Sequence, residues 1–123
     1  MTKRRILVVE DERLIARDIA MQLEELGYEA LGPACTAEQA IESARHLQPD
    51  LLLMDVHLGS AMDGIEAAHI IHAEMGSRIV FLSAFTDAGN LERAKRSEPA
   101  GYLPKPFLEY ELRDVLAAAF KDG

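Results

Sequence analysis

Several short apolar runs in this sequence stop on residues that can do chemistry. "RILVV" (5–9) is followed by Glu10, Asp11 and Glu12. "LLLM" (51–54) is followed by Asp55 and, two residues on, His57. "RIVFLS" (78–83) closes on Ser83, and "GYLP" (101–104) leads straight into Lys105. Crowded carboxylates repel one another, and a hard divalent cation with oxygen ligands is the natural way to neutralise them. Magnesium takes one or two carboxylates, keeps several waters and favours phosphate oxygens. A serine hydroxyl and a lysine ammonium then suit the same phosphoryl group, as hydrogen-bond donor and point charge. On that reading Asp55 is the nucleophile, since a carboxylate can carry a phosphoryl group covalently.

These groups can meet only if their strands end side by side. The apolar pattern switches repeatedly between run and stripe. After "RILVV", the segment 13–27 places Ile15, Ile19, Leu23 and Leu26 at helical spacing, with Gly27 as the stop. "YEALGPA" (28–34) reads as a weaker strand interrupted by Gly32 and Pro33. Thr36, three residues before Gln39, predicts a capping box at the head of a helix that reaches about Leu47 and ends at Pro49. "LLLM" is a strand, 64–75 a helix, "RIVFLS" a strand, 87–97 a weakly amphipathic helix and "GYLP" a short strand. A last helix over 108–120 carries Leu108, Leu112, Val115 and Leu116 on one side. Five nearly continuous apolar strands alternating with five helices predict an α/β fold, a parallel sheet covered on both faces. In such sheets ligands bind beyond the carboxyl ends of the strands, where strand order reverses. Singly, each residue has an ordinary explanation: acids at a helix start, an aspartate as turn cap, a loop hydroxyl, a solvated lysine. Those explanations do not predict that all of them share one sheet edge.

Composition sets the frame. The chain has 123 residues, enough for one domain over 1–123. Its 21 acidic against 13 basic residues give a formal charge of −8, which repels nucleic acid and anionic lipid. The single cysteine, Cys35, cannot form an internal disulfide and is expected as a loop thiol without redox function. No signal peptide opens the chain and no apolar run approaches the ~20 residues needed to cross a bilayer, so the expected setting is cytoplasmic, without direct nucleic-acid or membrane contact. His69 and His72 lie three apart on a helix but lack a third metal ligand.

The strings "ILVVEDE", "LLLMDVHL", "IVFLSAF" and "GYLPKPF", in that order, resemble the receiver domain of two-component response regulators over essentially the whole chain. The resemblance implies a flavodoxin-like (βα)5 fold and a phosphorylation-driven switch rather than an enzyme. By it, Asp55 accepts a phosphoryl group from a histidine kinase or a histidine phosphotransfer protein. Glu10, Asp11, Asp55 and the backbone carbonyl of His57 hold Mg2+. Ser83 bonds the phosphoryl group, Lys105 pairs with it, and the Tyr102 ring follows the hydroxyl. The Lys105–Pro106 bond is expected to be cis. An unknown output domain or protein reads the switch, and a homodimer through the fourth helix, fifth strand and fifth helix is a further expectation. His57 and Phe85, each two residues past a site residue, are expected to govern how water reaches the phosphorylated aspartate, the Phe85 ring by excluding it.

One departure stands out. The family usually has a proline four residues after the acceptor, where this chain has Gly59, and the route from Asp55 to "MDG" (62–64) is one residue longer than usual. Other α/β functions fit less well. "VEDERL" would repel the phosphate of a flavin-type cofactor, and no G-x-G-x-x-G follows the first strand. A phosphatase passing through an aspartyl-phosphate needs a second acid where His57 stands. A receiver serving only as an interaction module is the remaining alternative, though such domains generally lose one of the residues present here.

Overall fold

The computed structural model describes residues 3–58, 62–84 and 88–121. Phe85 and Gly59 lie outside the described residues. The elements run β1 (Arg5–Val9), α1 (Arg13–Glu25), β2 (Glu29–Ala34), α2 (Ala37–Leu47), β3 (Leu51–Asp55), α3 (Gly64–Met75), β4 (Arg78–Ala84), α4 (Ala88–Arg96), β5 (Gly101–Lys105) and α5 (Glu109–Ala119). All strand pairs are parallel, in the order β2-β1-β3-β4-β5, so strand order reverses between β1 and β3.

The alternation of side chains along each strand divides the core in two. Leu7 and Val9, Leu52 and Met54, Ile79 and Phe81 face α2, α3 and Ala94 of α4. Ile6 and Val8, Leu51 and Leu53, Val80 and Leu82, with Leu103, face α1 and α5. A strand buried on both faces has no polar side to show, which is why β3 reads as unbroken Leu and Met until Asp55.

Local signals govern the helix ends, with two departures from expectation. Thr36 accepts the Gln39 N–H at 3.1 Å, but Gln39 Oε1 accepts the N–H of Cys35, at 2.8 Å, so the box closes one residue early. Leu108 does not join the buried stripe of α5. It sits at the N-cap, whose extended backbone turns its side chain outward, and is 59% exposed, while Leu112 and Leu116 are buried. The complete box lies at α3: Asp63 Oδ1 accepts the Glu66 N–H at 3.0 Å, and Glu66 Oε1 accepts the Asp63 N–H at 3.4 Å. Among the described residues no helix is long and apolar enough to cross a membrane.

Candidate functional site

Strand alternation decides which side chains gather at the carboxyl edge. Glu10 continues the Ile6–Val8 series, Asp55 the Leu51–Leu53 series, and Lys105 follows Leu103 by two. All three therefore project on the α1/α5 side of the sheet. Lys105 Nζ donates to Asp55 Oδ2 at 2.9 Å and lies 3.5 Å from Glu10 Oε1, bridging 95 residues of sequence. The His57 N–H donates to the other acceptor oxygen, Asp55 Oδ1, at 3.0 Å. Both oxygens of Asp55 are thus held, and the side chain has one orientation. Glu10 and Asp55 are 1% and 4% exposed, while Asp11 stands in solvent beside them.

The segment leaving Asp55 closes back on it. The Gly64 N–H donates to the Val56 carbonyl at 3.1 Å, and a methyl group at Gly64 would collide with the Asp55 carbonyl, so only glycine allows this approach. Asp63, next to it, receives Arg93 of α4 at 2.8 Å. Burial alone would raise the Asp63 carboxyl, but Arg93 and the backbone N–H groups at the head of α3 outweigh it and hold it below the usual carboxylate range.

The electrostatics are conflicted. Burial, then the proximity and charge of Asp55, push the Glu10 carboxyl up to about 8, Asp11 adds to the rise, and Lys105 only partly offsets it. Burial would lower the Lys105 ammonium, yet its hydrogen bond to Asp55 and the charges of Asp55 and Glu10 prevail and raise it. Among the described residues Glu10 Oε2 is buried without a hydrogen-bond partner. Carboxylate oxygens of Glu10, Asp11 and Asp55 lie within 4.8 Å of one another, a spacing one cation can span, and an oxygen-only set with a buried orphan oxygen fits a hard divalent ion such as Mg2+.

Ser83 and Tyr102 belong to the opposite parity. Ser83 is fully buried beside Pro104 on β5; among the described residues its hydroxyl makes only a 3.4 Å bond to the Ala84 carbonyl, and no hydrogen bond joins it to Asp55 or Lys105. Tyr102 is half-buried against the α2/α3/α4 layer. The Lys105–Pro106 bond is cis, as expected, and so is Gly32–Pro33, which the sequence did not announce. His72 Nδ1 pairs with the Ser77 carbonyl at 3.1 Å, so the His69–His72 spacing assembles no metal cluster among the described residues. Cys35 is a free, partly exposed thiol after β2.

Residues 6–117 match the response regulator receiver domain family. This chain belongs to that family. It is a receiver domain of two-component signalling, with the flavodoxin-like architecture read from its sequence. It is 43% identical to the transcriptional regulatory protein PdtaR of Mycobacterium tuberculosis over 104 residues, 85% of this chain and 50% of that protein. The chain spans about half the length of the curated relatives it matches. The signal receiver domain of a modulated diguanylate cyclase from Desulfovibrio desulfuricans G20 superposes with a TM-score of 0.90 at 38% identity, covering 98% of this chain and 95% of that one. The receiver domain of the sensor histidine kinase PA1611 from Pseudomonas aeruginosa PAO1, which has a magnesium ion coordinated in its active site cleft, superposes with a TM-score of 0.83 at 33% identity, covering 94% and 96%.

Proposed function

We propose that residues 1–123 form one receiver unit in which Asp55 takes a phosphoryl group from a phosphohistidine of a histidine kinase or phosphotransfer protein. The observation that carries this reading is the Asp55 carboxylate, buried, fixed at both oxygens and set 2.9 Å from the Lys105 ammonium at the edge of an acidic cluster. In the transfer a carboxylate oxygen of Asp55 bonds to phosphorus, the phosphorus–nitrogen bond of the donor breaks, and the donor imidazole leaves. Lys105 compensates the charge gathering on the phosphoryl oxygens, and the His57 N–H keeps the carboxylate aimed.

Glu10, Asp11, Asp55 and the His57 carbonyl would hold Mg2+, and the ion would neutralise their mutual repulsion and the incoming phosphate charge. Support comes from the orphan Glu10 oxygen and from the magnesium held in the PA1611 receiver domain.

Asp55 then carries a dianion where it carried a single charge. The Ser83 hydroxyl, weakly held by Ala84, turns to it, and Tyr102 moves inward behind the hydroxyl. The face of α4, β5 and α5 changes shape, and an output partner or a second copy of the chain reads it. The domain is a switch rather than an enzyme for a separate substrate, working in the cytoplasm without direct contact to nucleic acid or membrane.

Labelling with acetyl phosphate and magnesium tests the assignment. Asp55→Asn should lose all acid-labile phosphate, because an amide is a far weaker nucleophile. Lys105→Ala should keep the acceptor but weaken the conformational response. Undiminished labelling of Asp55→Asn would move the acceptor elsewhere.

A further inference from the structure

The charges of α1 run against its own dipole. A helix favours acids in its first turn and bases in its last, and α1 has neither. It begins on Arg13, carries Arg17 one turn later and closes on Glu24 and Glu25. Arg13, Arg17 and Glu24 are exposed, and among the described residues neither arginine forms an ion pair. The spacing of Arg13, Arg17, Ala20 and Glu24 puts all four on one face of the helix, with Met21, 56% exposed, beside them. That face turns away from the side of α1 that meets Lys105, Pro106 and Phe107, which Ile15, Asp18 and Gln22 line. It overlooks the outermost strand, β2, across a groove of about 490 Å3 lined in part by Ala16, Ala20, Ala30 and Leu31.

We propose that this face of α1 is an interface with a second copy of the chain, the two α1 helices packing antiparallel about a two-fold axis. What selects a second copy as the occupant is self-complementary charge. A two-fold axis close to the middle of Arg13–Glu25 sets the arginine end of each helix beside the acidic end of the other. Arg13 and Arg17 of one copy then straddle Glu24 of the partner subunit, and symmetry repeats the arrangement. Glu24 can serve both roles, since its Oε2 accepts the Ala30 N–H at 2.9 Å and Oε1 is left for a guanidinium. Ala20 falls next to the axis, where a small side chain lets the helices approach to the ~8 Å of the closest packings. Met21 is sheltered from water, and the antiparallel arrangement opposes the two dipoles. Each copy has a formal charge of −8, so copies repel except where their own charges are complementary, and α1 supplies such a face. One helix face covers less than the ~1,600 Å2 of a standard interface, so the association is weak and needs high concentration. It involves neither Asp55 nor the face of α4, β5 and α5.

The test is sedimentation equilibrium in chelator without a phosphodonor. The native chain, taken up to about 1 mM, should associate reversibly to a dimer, and salt at about 0.5 M should weaken the association several-fold. Two charge variants separate specific pairing from general stickiness: Arg13→Glu with Arg17→Glu, and Glu24→Lys with Glu25→Lys. Both sets of charges agree with the helix dipole, and the Ala30 N–H that Glu24→Lys releases is exposed and passes to water, so both variants should fold, as thermal unfolding in dilute solution checks. Each variant carries one sign of charge on the Arg13, Arg17 and Glu24 positions and should self-associate about tenfold more weakly than the native chain. An equal mixture of the two restores every opposite pair and should dimerise as the native chain does. NMR of the native chain needs no variant: amide signals of residues 13–24 should move with concentration. A native chain that stays monomeric, variants that associate like the native chain, a mixture that stays monomeric, or concentration shifts confined to α4, β5 and α5 overturn the proposal.

Discussion

The two edges of the sheet treat charge in opposite ways. At the amino edge Arg4, Arg5 and Arg78 each meet an acid, a carbonyl or an aromatic face. The Arg5 N–H donates to Asp50 Oδ2 at 2.8 Å, its Nη1 to the Leu47 carbonyl at 2.6 Å, and its Nε lies 3.6 Å from Glu29. The guanidinium carbons of Arg4 and Arg78 sit 4.8 and 5.4 Å from the centre of the Phe120 ring, which also stacks near Tyr28. At the carboxyl edge, Glu10 and Asp55 flank Lys105 with Asp11 close to both acids, and among the described residues one buried carboxylate oxygen is orphaned. The amino edge holds the fold together. The carboxyl edge keeps a surplus of negative charge that only something from outside can relieve, which is where a protein concentrates local conflict when it works through a site.

The largest expected effect sets the acidic edge against itself. With metal removed by a chelator, Glu10 keeps its proton in the folded chain up to about 8, whereas the unfolded chain releases it near 4.5. Between those values the unfolded state binds fewer protons, so stability falls as pH rises and the loss is complete above about 8. The swing should be on the order of a few kcal/mol, read by urea unfolding at several pH values. Glu10→Gln should flatten it, and a slope that survives this substitution would place the conflict elsewhere. Magnesium favours the ionised cluster and should flatten it too, while moving the backbone amide signals of residues 10–12 and 55–57 at millimolar concentration; silent signals there would count against the ion site.

Asp50→Ala probes the other edge, where removing an acid should cost stability rather than relieve strain. It takes the acceptor from the Arg5 N–H, for a loss of about 1–2 kcal/mol that magnesium leaves unchanged. The smallest effect belongs to Arg78→Ala, which gives up one cation–π contact worth about 0.5–1 kcal/mol. If Asp50→Ala proved neutral, or magnesium-dependent, the contrast between the edges would fail.

What the sequence disclosed follows from range. The runs and stripes are local, and they located all ten elements to within a few residues. Glu10, Asp55 and Lys105 were legible because each sits at the end of a strand, and parallel strands bring their ends together. Asn90 and Arg93 gave no such signal. Their partners His57 and Asp63 lie 33 and 30 residues away, and the pairing depends on how α4 packs rather than on any spacing. Leu108 misled because helical spacing does not reveal where the cap falls, and a cap residue points away from the face its number suggests. Gly64 reads in the sequence only as the first residue of a helix, and the collision that makes it obligatory appears once the Asp55 carbonyl is placed against it.

The alternation that seats Glu10, Asp55 and Lys105 on one face behaves like a parity bit. Deleting one residue from the middle of β3 would keep the strand apolar and the hydrogen-bond ladder intact in form, yet it would deliver the carboxylate to the α2/α3 side, away from its lysine. Length can therefore drift where parity is not counted, as in the segment downstream of the acceptor and before α3 begins. The extra residue expected between Asp55 and "MDG" (62–64) would fall in such a stretch. A lineage can lengthen or shorten it, changing what a partner meets, without scrambling the address of the reacting group.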